Sequence, residues 1–445
     1  MRKTSVEKKI ITVKMLILVS CIIMGFLCLK IWNINFKKTE TVANNKMYEI
    51  YIETGFGTDT YTTYTSNVFP TEGYVLNTSL TTCIGGGTIS QESSSINALF
   101  NSSDSCKLYF DVDSSAVSVI KGMVKNYSDA TTDVITLNAP SGGNCTNTLA
   151  YDGTSDNNLR YVGANPCNYV SFNSELWRII GIFNGKLKII RNDSLGSYSW
   201  DSSASSVNSG CGINQWGSSG NYEGADLMRE LNGDYLDTTL TSNTLWYGSD
   251  GTQLLQFEYT KVIKSDAQNM IANSIWNTGS PTTIRYDCYA STLYEGERSN
   301  NTGKICSINS NYNGVYCTDT VTRTSTWTGK VGLIYPSDFV FATSGGTTTD
   351  RSTCLVTSSN TWEYSSVSDC KNNDWLVPEY ASGNYTLTSV MNEDFADQIA
   401  LLTNQGTFNS TRAKERAEVY PTVFLKSNVP ITGGAGTEQN PYTLS

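Results

Sequence analysis

Acidic side chains near residue 226 have a spacing that could serve sugar hydrolysis. Asp226 and Glu230 lie four residues apart in a predicted helix from Glu223 to Leu231. Residues with this spacing share one helix face, and two carboxylates are what glycoside hydrolysis requires. Acidic residues near the start of a helix are equally well explained by a favourable interaction with its dipole. The pattern therefore assigns no catalytic residue, and we expect a binding role more than an enzymatic one.

Other kinds of chemistry are excluded by residue types and motifs that the sequence lacks. No histidine occurs among the 445 residues, which removes Ser-His-Asp catalysis and histidine-ligated zinc. The sequence has no Gly-x-Ser-x-Gly, no P-loop and no Gly-x-Gly-x-x-Gly motif. After residues 1–40, which are basic, the chain carries 23 basic and 39 acidic side chains, a net charge of −16. Such a surface repels phosphate backbones, so we expect no nucleic-acid partner.

The cysteine pattern is typical of a protein that folds in an oxidising compartment. An even number of thiols follows the apolar N-terminal segment, and we expect five disulfides. Pairing sequence neighbours predicts Cys83–Cys106, Cys145–Cys167, Cys306–Cys317 and Cys354–Cys370, and it leaves Cys211 for Cys288. The sequence does not determine this connectivity, and buried free thiols are the alternative. Metal binding is disfavoured because no Cys-x-x-Cys pair occurs.

The segment Ile10–Trp32 is apolar apart from Lys14 and Lys30. As a helix it reaches the roughly 30 Å of a bilayer core, with both lysines extending to the interfaces. Five basic residues precede its central part and three follow it, so residues 1–9 are expected in the cytoplasm. The chain is thus predicted to be a single-pass protein of the cell membrane with an extracellular remainder. A cleaved signal peptide, or a lipoprotein beginning at Cys21, is the alternative.

The remaining chain divides into regions by composition and hydrophobic pattern. We predict a stalk at 33–46, a small β-sandwich-like module at 47–113, a linker at 114–150 and a C-terminal domain at 151–445. In the small module, the alternation of apolar residues from Lys107 to Val112 indicates a strand with one buried face.

The C-terminal domain mixes strand and helix signals without a regular βαβ pattern, so the predicted fold class is α+β. Asn184-Gly185 between two apolar runs is a strong signal for a β-hairpin. A helix capped by Ser265 is expected over Asp266–Trp276, with Ile275 on its buried side. A helix at Ser115–Val124 is expected within the linker, and Gln398–Leu402 and Val419–Leu425 look like terminal strands.

Several segments of this domain resemble uncharacterised, membrane-anchored surface proteins of low-GC Gram-positive bacteria. These segments are Tyr161–Pro166, Trp177–Gly181, Lys188–Arg191, Tyr222–Met228, Gly332–Asp338, Gly434–Thr437 and Asn440–Tyr442. The resemblance implies a surface location and no established chemistry. The family's Arg-Pro before the last long strand is replaced here by Tyr420-Pro421. The C-terminal domain is more distantly similar to C-type-lectin-like domains.

The lectin resemblance suggests a ligand-binding group of Asp374, Trp375 and Glu379. C-type lectins hold Ca²⁺ and sugar through carboxylate and amide oxygens, which are the ligands that hard cations prefer. The order of these residues matches no lectin motif, and Trp375 also suits core packing near Cys370. We therefore expect no firm cofactor, with Ca²⁺ as the candidate. The expected function is adhesion to a glycan or protein partner. The alternatives are a structural envelope component and a carboxylate-dependent glycan hydrolase.

Overall fold

The computed structural model describes the chain from Tyr48 to Ser445 with internal gaps. The residues outside the description are 1–47, 56–57, 67, 72, 93–94, 128–131, 141–142, 202–215, 218–223, 248–253, 280–287, 300–301, 310–313, 323–324, 378–382 and 391–397. The predicted cytoplasmic tail, membrane span and stalk all fall among them. Within the described ranges, no helix combines the length and the apolar character that crossing a bilayer requires.

The chain forms two compact units, the smaller built from residues up to 52, 61–69 and 76–110. The strands of this region are β1 (Tyr48–Glu53), β2 (Tyr61–Tyr64), β3 (Tyr74–Leu76), β4 (Thr82–Ile84), β5 (Thr88–Glu92), β6 (Ser95–Leu99) and β7 (Ser105–Val112). Five of them form one sheet in the order β2-β1-β7-β3 with β4 also beside β7, and β5 and β6 form a hairpin. Leu108 and Phe110 of β7 are fully buried, which agrees with the predicted alternation.

The larger unit contains 53–60, 70–75 and 111–445. Its strands are β8 (Ile135–Leu137), β9 (Asn147–Tyr151), β10 (Leu159–Tyr161), β11 (Tyr169–Phe172), β12 (Glu175–Phe183), β13 (Lys186–Arg191), β14 (Ser197–Ser199), β15 (Thr244–Tyr247), β16 (Leu254–Phe257), β17 (Ser274–Asn277), β18 (Thr302–Asn309), β19 (Gly314–Thr322), β20 (Thr326–Gly329), β21 (Val331–Gly332), β22 (Asn384–Ser389), β23 (Gln398–Leu402), β24 (Phe408–Arg412), β25 (Arg416–Glu418), β26 (Thr422–Leu425), β27 (Ile431–Gly433) and β28 (Tyr442–Leu444).

The helices of the larger unit are short. They are α1 (Ala116–Met123), α2 (Asp226–Asn232), α3 (Ser265–Met270), α4 (Ala290–Arg298), α5 (Pro336–Phe341), α6 (Arg351–Leu355) and α7 (Ser368–Asn372), with 3₁₀ turns at Asp234–Leu236, Tyr259–Lys261 and Ser359–Thr361. The Ser115 hydroxyl caps α1 by accepting from the Ser118 amide at 3.3 Å. The described chain is therefore β-rich with a few short helices, which confirms the coarser part of the predicted class.

A ten-stranded sheet organises the larger unit in the order β21-β26-β13-β12-β10-β9-β8, with β11, β28 and β27 continuing from β12. The predicted hairpin is present between β12 and β13, and both Asn184 and Gly185 have positive φ angles. This hairpin is buried on both faces, since Ile179 belongs to one hydrophobic cluster and Ile180 to the other. Burial on both faces explains why apolar residues adjoin at Ile179-Ile180 and at Ile189-Ile190 instead of alternating with polar ones. A second sheet has the order β14-β25-β22-β23-β24.

Two predictions about local structure differ from the observed fold. Residues 114–150, predicted as a linker, contribute α1 and the strands β8 and β9 to the large unit and its ten-stranded sheet. The helix predicted over Asp266–Trp276 ends at Met270, and residues 274–277 form β17 instead. Ile275, predicted to be buried, is 69% exposed. The physical reason is tertiary, because the amide of Ala272 donates to the Phe424 carbonyl and β17 pairs with β20.

Three of the predicted disulfides are present, namely Cys83–Cys106, Cys145–Cys167 and Cys354–Cys370. Cys306 lies opposite Cys317 in the ladder between β18 and β19, of which only the backbone is described. Cys288 is buried, and its predicted partner Cys211 lies outside the described residues. The three bonds confirm pairing between sequence neighbours.

Candidate functional site

Two arginines, Arg160 and Arg178, lie on neighbouring strands of the large sheet and have different surroundings. The surroundings of Arg160 are charged. Arg160, on β10, is buried and forms ion pairs with Asp152 and Asp338, at 2.9 Å in each case. Lys188, on β13, contacts the second carboxylate oxygen of Asp338. Burial opposes each charge, but the opposite charges hold the pKa of Asp338 below its ordinary value and raise that of Arg160. These four residues, the buried ion chain, alternate in sign.

Aromatic rings and further hydrogen-bonded groups surround the ion chain and separate it from solvent. Lys188 is fully buried, 4.1 Å from the ring centre of Tyr335, and burial lowers its pKa to about 8. Glu297 accepts hydrogen bonds from the amide and hydroxyl of Ser337, at 2.8 and 2.6 Å. Burial raises the pKa of Glu297 to about 7. Because these charges are enclosed and satisfied within the protein, the ion chain is a structural feature of the core.

Arg178, on β12, has aromatic neighbours instead of carboxylates. Tyr169 lies directly opposite it in the pairing of β11 with β12. The guanidinium therefore lies over the Tyr169 ring, 4.3 Å from its centre, and it lies 4.4 Å from the ring centre of Trp375. Its Nε donates to Asn168 Oδ1 at 2.9 Å, and its Nη2 donates to the Pro166 carbonyl at 3.5 Å. Two rings and two hydrogen bonds thus fix the orientation of this side chain.

Within the described part of the chain, no carboxylate balances the Arg178 charge at close range. Among the described residues Arg178 makes no ion pair, and its Nη1 donates no hydrogen bond. Burial lowers its pKa to about 10, while Tyr169 and the exposed Glu438 oppose that shift. A pKa of about 10 keeps the guanidinium charged at neutral pH, so the site contains a permanent positive charge.

Trp375 lies on the other side of the Arg178 guanidinium because its segment is held at several points. Its indole Nε1 donates to the Tyr161 carbonyl at 3.0 Å. The residue before it, Asp374, forms isolated β-bridges with Gly163 and Thr343. Five residues before Trp375, Cys370 forms the Cys354–Cys370 disulfide, which joins α6 to α7. Trp375 is consequently 9% exposed and rigidly placed.

Arg178 and Trp375 line a small cavity, here called the Arg178 pocket. Its volume is about 140 Å³. The lining residues are Arg178, Ile190, Arg191, Asn192, Asp193, Trp375, Leu376, Val377, Asn384 and Tyr420. Asn384, the first residue of β22, has a buried Oδ1 with no hydrogen-bond partner in the described part of the chain. The second arginine of the lining, Arg191, is already occupied by Glu175 at 2.8 Å.

The three residues predicted as a ligand-binding group have different locations. Trp375 lines the pocket, whereas Asp374 is buried and is not part of the lining. Burial raises the pKa of Asp374 well above its ordinary value, so its carboxyl group favours the neutral form. Its Oδ1 accepts from the Leu376 amide at 2.8 Å. Glu379 lies outside the described residues.

A calcium site is not apparent in the part of the chain that the structure describes. No group of three or more Cys, Asp or Glu side chains there is arranged to hold a metal ion. Burial also opposes the ionised form of Asp374, and hard cations prefer ionised oxygen ligands. Ca²⁺ therefore remains a prediction from the lectin resemblance.

The carboxylates considered for hydrolysis lie on α2, which begins at Asp226, three residues later than predicted. Asp226 contacts Arg229, and the backbone amide of Asp226 donates to Asp201 at 3.2 Å. Burial, together with Asp234 and Asp226, raises the pKa of Glu230 to about 7. A Glu230 that is partly protonated at neutral pH meets the requirement for the proton donor of such a pair.

Sequence reasoning identified Trp375 but missed Arg178 and Asn384 as site residues. The signal for Arg178 is a single charge in the apolar run from Trp177 to Ile180, where a strand buried on both faces would exclude it. Asn384 carries no comparable signal, because only its tertiary position leaves its amide oxygen without a partner.

Comparison of the chain with protein-family models, with curated proteins and with solved structures finds no match in any of the three. The candidate site therefore depends on the geometry of the Arg178 pocket alone.

Proposed function

We propose that this protein is a membrane-anchored extracellular surface protein that binds a glycan or a protein partner. The Arg178 pocket is the single observation that carries the proposal. It offers a rigid aromatic and cationic wall, and no described group donates a hydrogen bond to the buried Asn384 oxygen. Concave sites with a few fixed polar groups among apolar ones are the usual form of a binding site.

The extracellular location is supported by the cysteine chemistry. Three disulfides between described cysteines are consistent with folding in an oxidising compartment. The proposed anchor is the apolar segment Ile10–Trp32, with the N-terminus in the cytoplasm. The resemblance to surface proteins of low-GC Gram-positive bacteria, with a lectin-like C-terminal domain, is part of the same proposal.

Binding is tested with the full-length chain in detergent, applied to a glycan array and to intact cells. We expect specific glycans or cell surfaces to be retained, and retention to fall for Arg178→Gln. Uniformly blank results on both would contradict the binding function and favour a structural envelope component.

The anchor is tested by mass analysis of the membrane-extracted protein. An intact N-terminus supports the uncleaved helix. A mature chain that starts at Cys21 and carries lipid would replace the helix by a lipoprotein anchor.

A second candidate, glycan hydrolysis by Asp226 and Glu230, is favoured by the raised pKa of Glu230. It is tested by incubating the full-length chain with cell-wall and host glycans. Turnover that is lost in both Asp226→Asn and Glu230→Gln would favour the enzyme, whereas unchanged glycans would exclude it.

A further inference from the structure

We propose that the Arg178 pocket binds one acidic sugar residue, with the sugar carboxylate on Arg178 and a hydroxyl or amide N–H on Asn384. This inference rests on the proposed binding function and names the ligand class for it. The pocket belongs wholly to the larger unit of the chain.

The first step of the argument is the unsatisfied donor capacity of Arg178. A guanidinium has five N–H groups in a planar fork that matches a carboxylate. Here Nε and Nη2 donate to protein oxygens, and Nη1 has no acceptor among the described residues. A partly buried cation without a carboxylate is costly, and an incoming anion offsets that cost through charge-assisted hydrogen bonds.

The second step is the rigidity of this cation. The rings of Tyr169 and Trp375 hold the guanidinium at 4.3 and 4.4 Å. A group that is already fixed loses little conformational entropy when a ligand binds, so more of the interaction energy appears as affinity.

The third step is the complementary requirement of Asn384. Its buried Oδ1 accepts no hydrogen bond from any described group. A buried acceptor without a donor destabilises the empty pocket, and a ligand hydroxyl or amide N–H would supply the missing hydrogen bond. The ligand must therefore present an anion and a donor on one small body.

The fourth step is the size and lining of the cavity. Its volume of about 140 Å³ lies below the roughly 300–1,000 Å³ of sites for drug-sized molecules. It suits a single ring better than a chain. The Asn192 side chain can meet a further hydroxyl, and Ile190 and Leu376 can meet the C–H face of a sugar ring. A peptide C-terminus shares the carboxylate but brings fewer hydroxyl donors, so the lining favours a sugar acid.

Two acidic side chains near the pocket limit the positive potential. Asp193 is exposed in the lining, where its carboxylate accepts from Asn192 at 3.1 Å, and Glu438 acts on Arg178 from an exposed position. Neither forms an ion pair with Arg178. Both remain in water, where their charges are screened, so Arg178 remains available to a carboxylate.

The experiment is titration calorimetry on the full-length chain in detergent. The probes are glucuronic acid and N-acetylneuraminic acid, their neutral counterparts glucose and N-acetylglucosamine, and a short acetylated peptide with a free C-terminus. We expect one site that binds an acidic sugar at least about tenfold more tightly than the neutral sugars. Binding should be unchanged by EDTA, since no step requires a metal.

Two variants and one control identify the residues responsible. Arg178→Gln removes the cation, and Asn384→Asp introduces a carboxylate that competes for Arg178 while preserving shape. Each should weaken acidic-sugar binding about tenfold or more. Lys426→Gln, at an exposed position outside the lining, changes the net charge equally and should have no effect. Thermal melting of each variant establishes that it is folded.

The outcomes separate this inference from the proposed function. Neutral sugars that bind as tightly as acidic ones would overturn the acidic-sugar assignment and leave glycan binding intact. Binding of the peptide alone would overturn it in favour of a protein partner. Loss of sugar binding in EDTA would assign the site to a metal instead of Arg178. If no probe binds at millimolar concentration while cell binding persists, the pocket is not the binding site. If cell binding is also absent, the proposed function fails as well.

Discussion

Arg160 and Arg178 show how two similar residues in one sheet acquire different roles. Each guanidinium lies within 5 Å of two aromatic ring centres, Phe183 and Phe341 for Arg160, Tyr169 and Trp375 for Arg178. Arg160 has a carboxylate on each side, whereas Arg178 has none within ion-pair distance among the residues that the structure describes. The difference teaches that the balance of charge, more than aromatic contact, distinguishes a structural arginine from one that can bind a ligand.

Arg351 shows that a missing carboxylate is not sufficient. It is buried, and burial lowers its pKa to about 10, as for Arg178. Its Nε and both Nη atoms donate to backbone carbonyls, including those of Thr343 at 3.0 Å and Phe341 at 3.1 Å. No donor nitrogen remains for a ligand. Arg178 differs from both other arginines because one of its nitrogens is still unoccupied and the residue lines a cavity.

Breaking the ion chain should have the largest effect. Asp338→Ala leaves Arg160 without one carboxylate and Lys188 without its own, both in the core. We expect a loss of about 3–5 kcal/mol in the free energy of unfolding, measured by urea denaturation. Glu258→Gln is the matched control, because its exposed carboxylate is 3.8 Å from Lys261 and should contribute less than about 1 kcal/mol. Equal effects of the two variants would contradict the structural role of the ion chain.

The buried carboxyl beside the ion chain should produce a specific pH dependence. Glu297 has its pKa raised from 4.5 to about 7 in the folded protein. Between about pH 4.5 and pH 7, Glu297 therefore keeps its proton in the folded state and releases it in the unfolded state. The contribution of Glu297 to the free energy of unfolding consequently falls as the pH rises through this window. Glu297→Gln removes that decrease, so its stability relative to the wild type should increase by about 3 kcal/mol across this window.

Denaturation at several pH values measures this difference. The raised pKa of Glu230 also makes the free energy of unfolding depend on pH. This contribution is the same in the wild type and in Glu297→Gln, so it cancels in their difference. A constant difference between Glu297→Gln and the wild type from pH 4.5 to pH 7 would show that Glu297 is ionised in the fold.

Removing the Arg178 side chain should lower the free energy of unfolding much less than breaking the ion chain does. Among the described residues, Arg178→Gln leaves no carboxylate unpaired, and it loses mainly contacts with Tyr169 and Trp375. We expect destabilisation of about 1 kcal/mol, measured by urea denaturation. The comparison is Arg160→Gln, which removes the cation from Asp152 and leaves Asp338 with Lys188 alone, and which should cost about 3–5 kcal/mol. If both arginine variants lose the same stability, Arg178 is a structural residue and the contrast between them is wrong.

The smallest effect is expected at the rim of the pocket. Glu438 acts on Arg178 through space from an exposed position. Glu438→Gln should strengthen acidic-sugar binding by about twofold to fivefold at low salt, and less at physiological ionic strength. Calorimetry at two salt concentrations measures this change. Weaker binding by this variant would mean that Glu438 contacts the ligand directly.

Some features of this protein were determined by short stretches of sequence. The Asn184-Gly185 turn, the helix after Ser115 and the three neighbour disulfides were predicted correctly, since each depends on residues close in the chain. Local backbone preferences and short loop closures decide such features without reference to the rest of the fold. The predicted Ser265 cap was wrong, because Ser265 is itself the first helical residue and Lys264 occupies the cap position.

Other features were decided only by tertiary structure. Arg178, Trp375 and Asn384 come from three distant segments, and only the tertiary fold brings them to the lining of one cavity. Burial also raises the pKa of Asp374, although its sequence neighbours suggested an ionised cation ligand. Sequence patterns report which residues favour a strand or a turn. Which side chain keeps an unsatisfied charge or oxygen depends on what long-range packing places next to it, and local sequence does not contain that information.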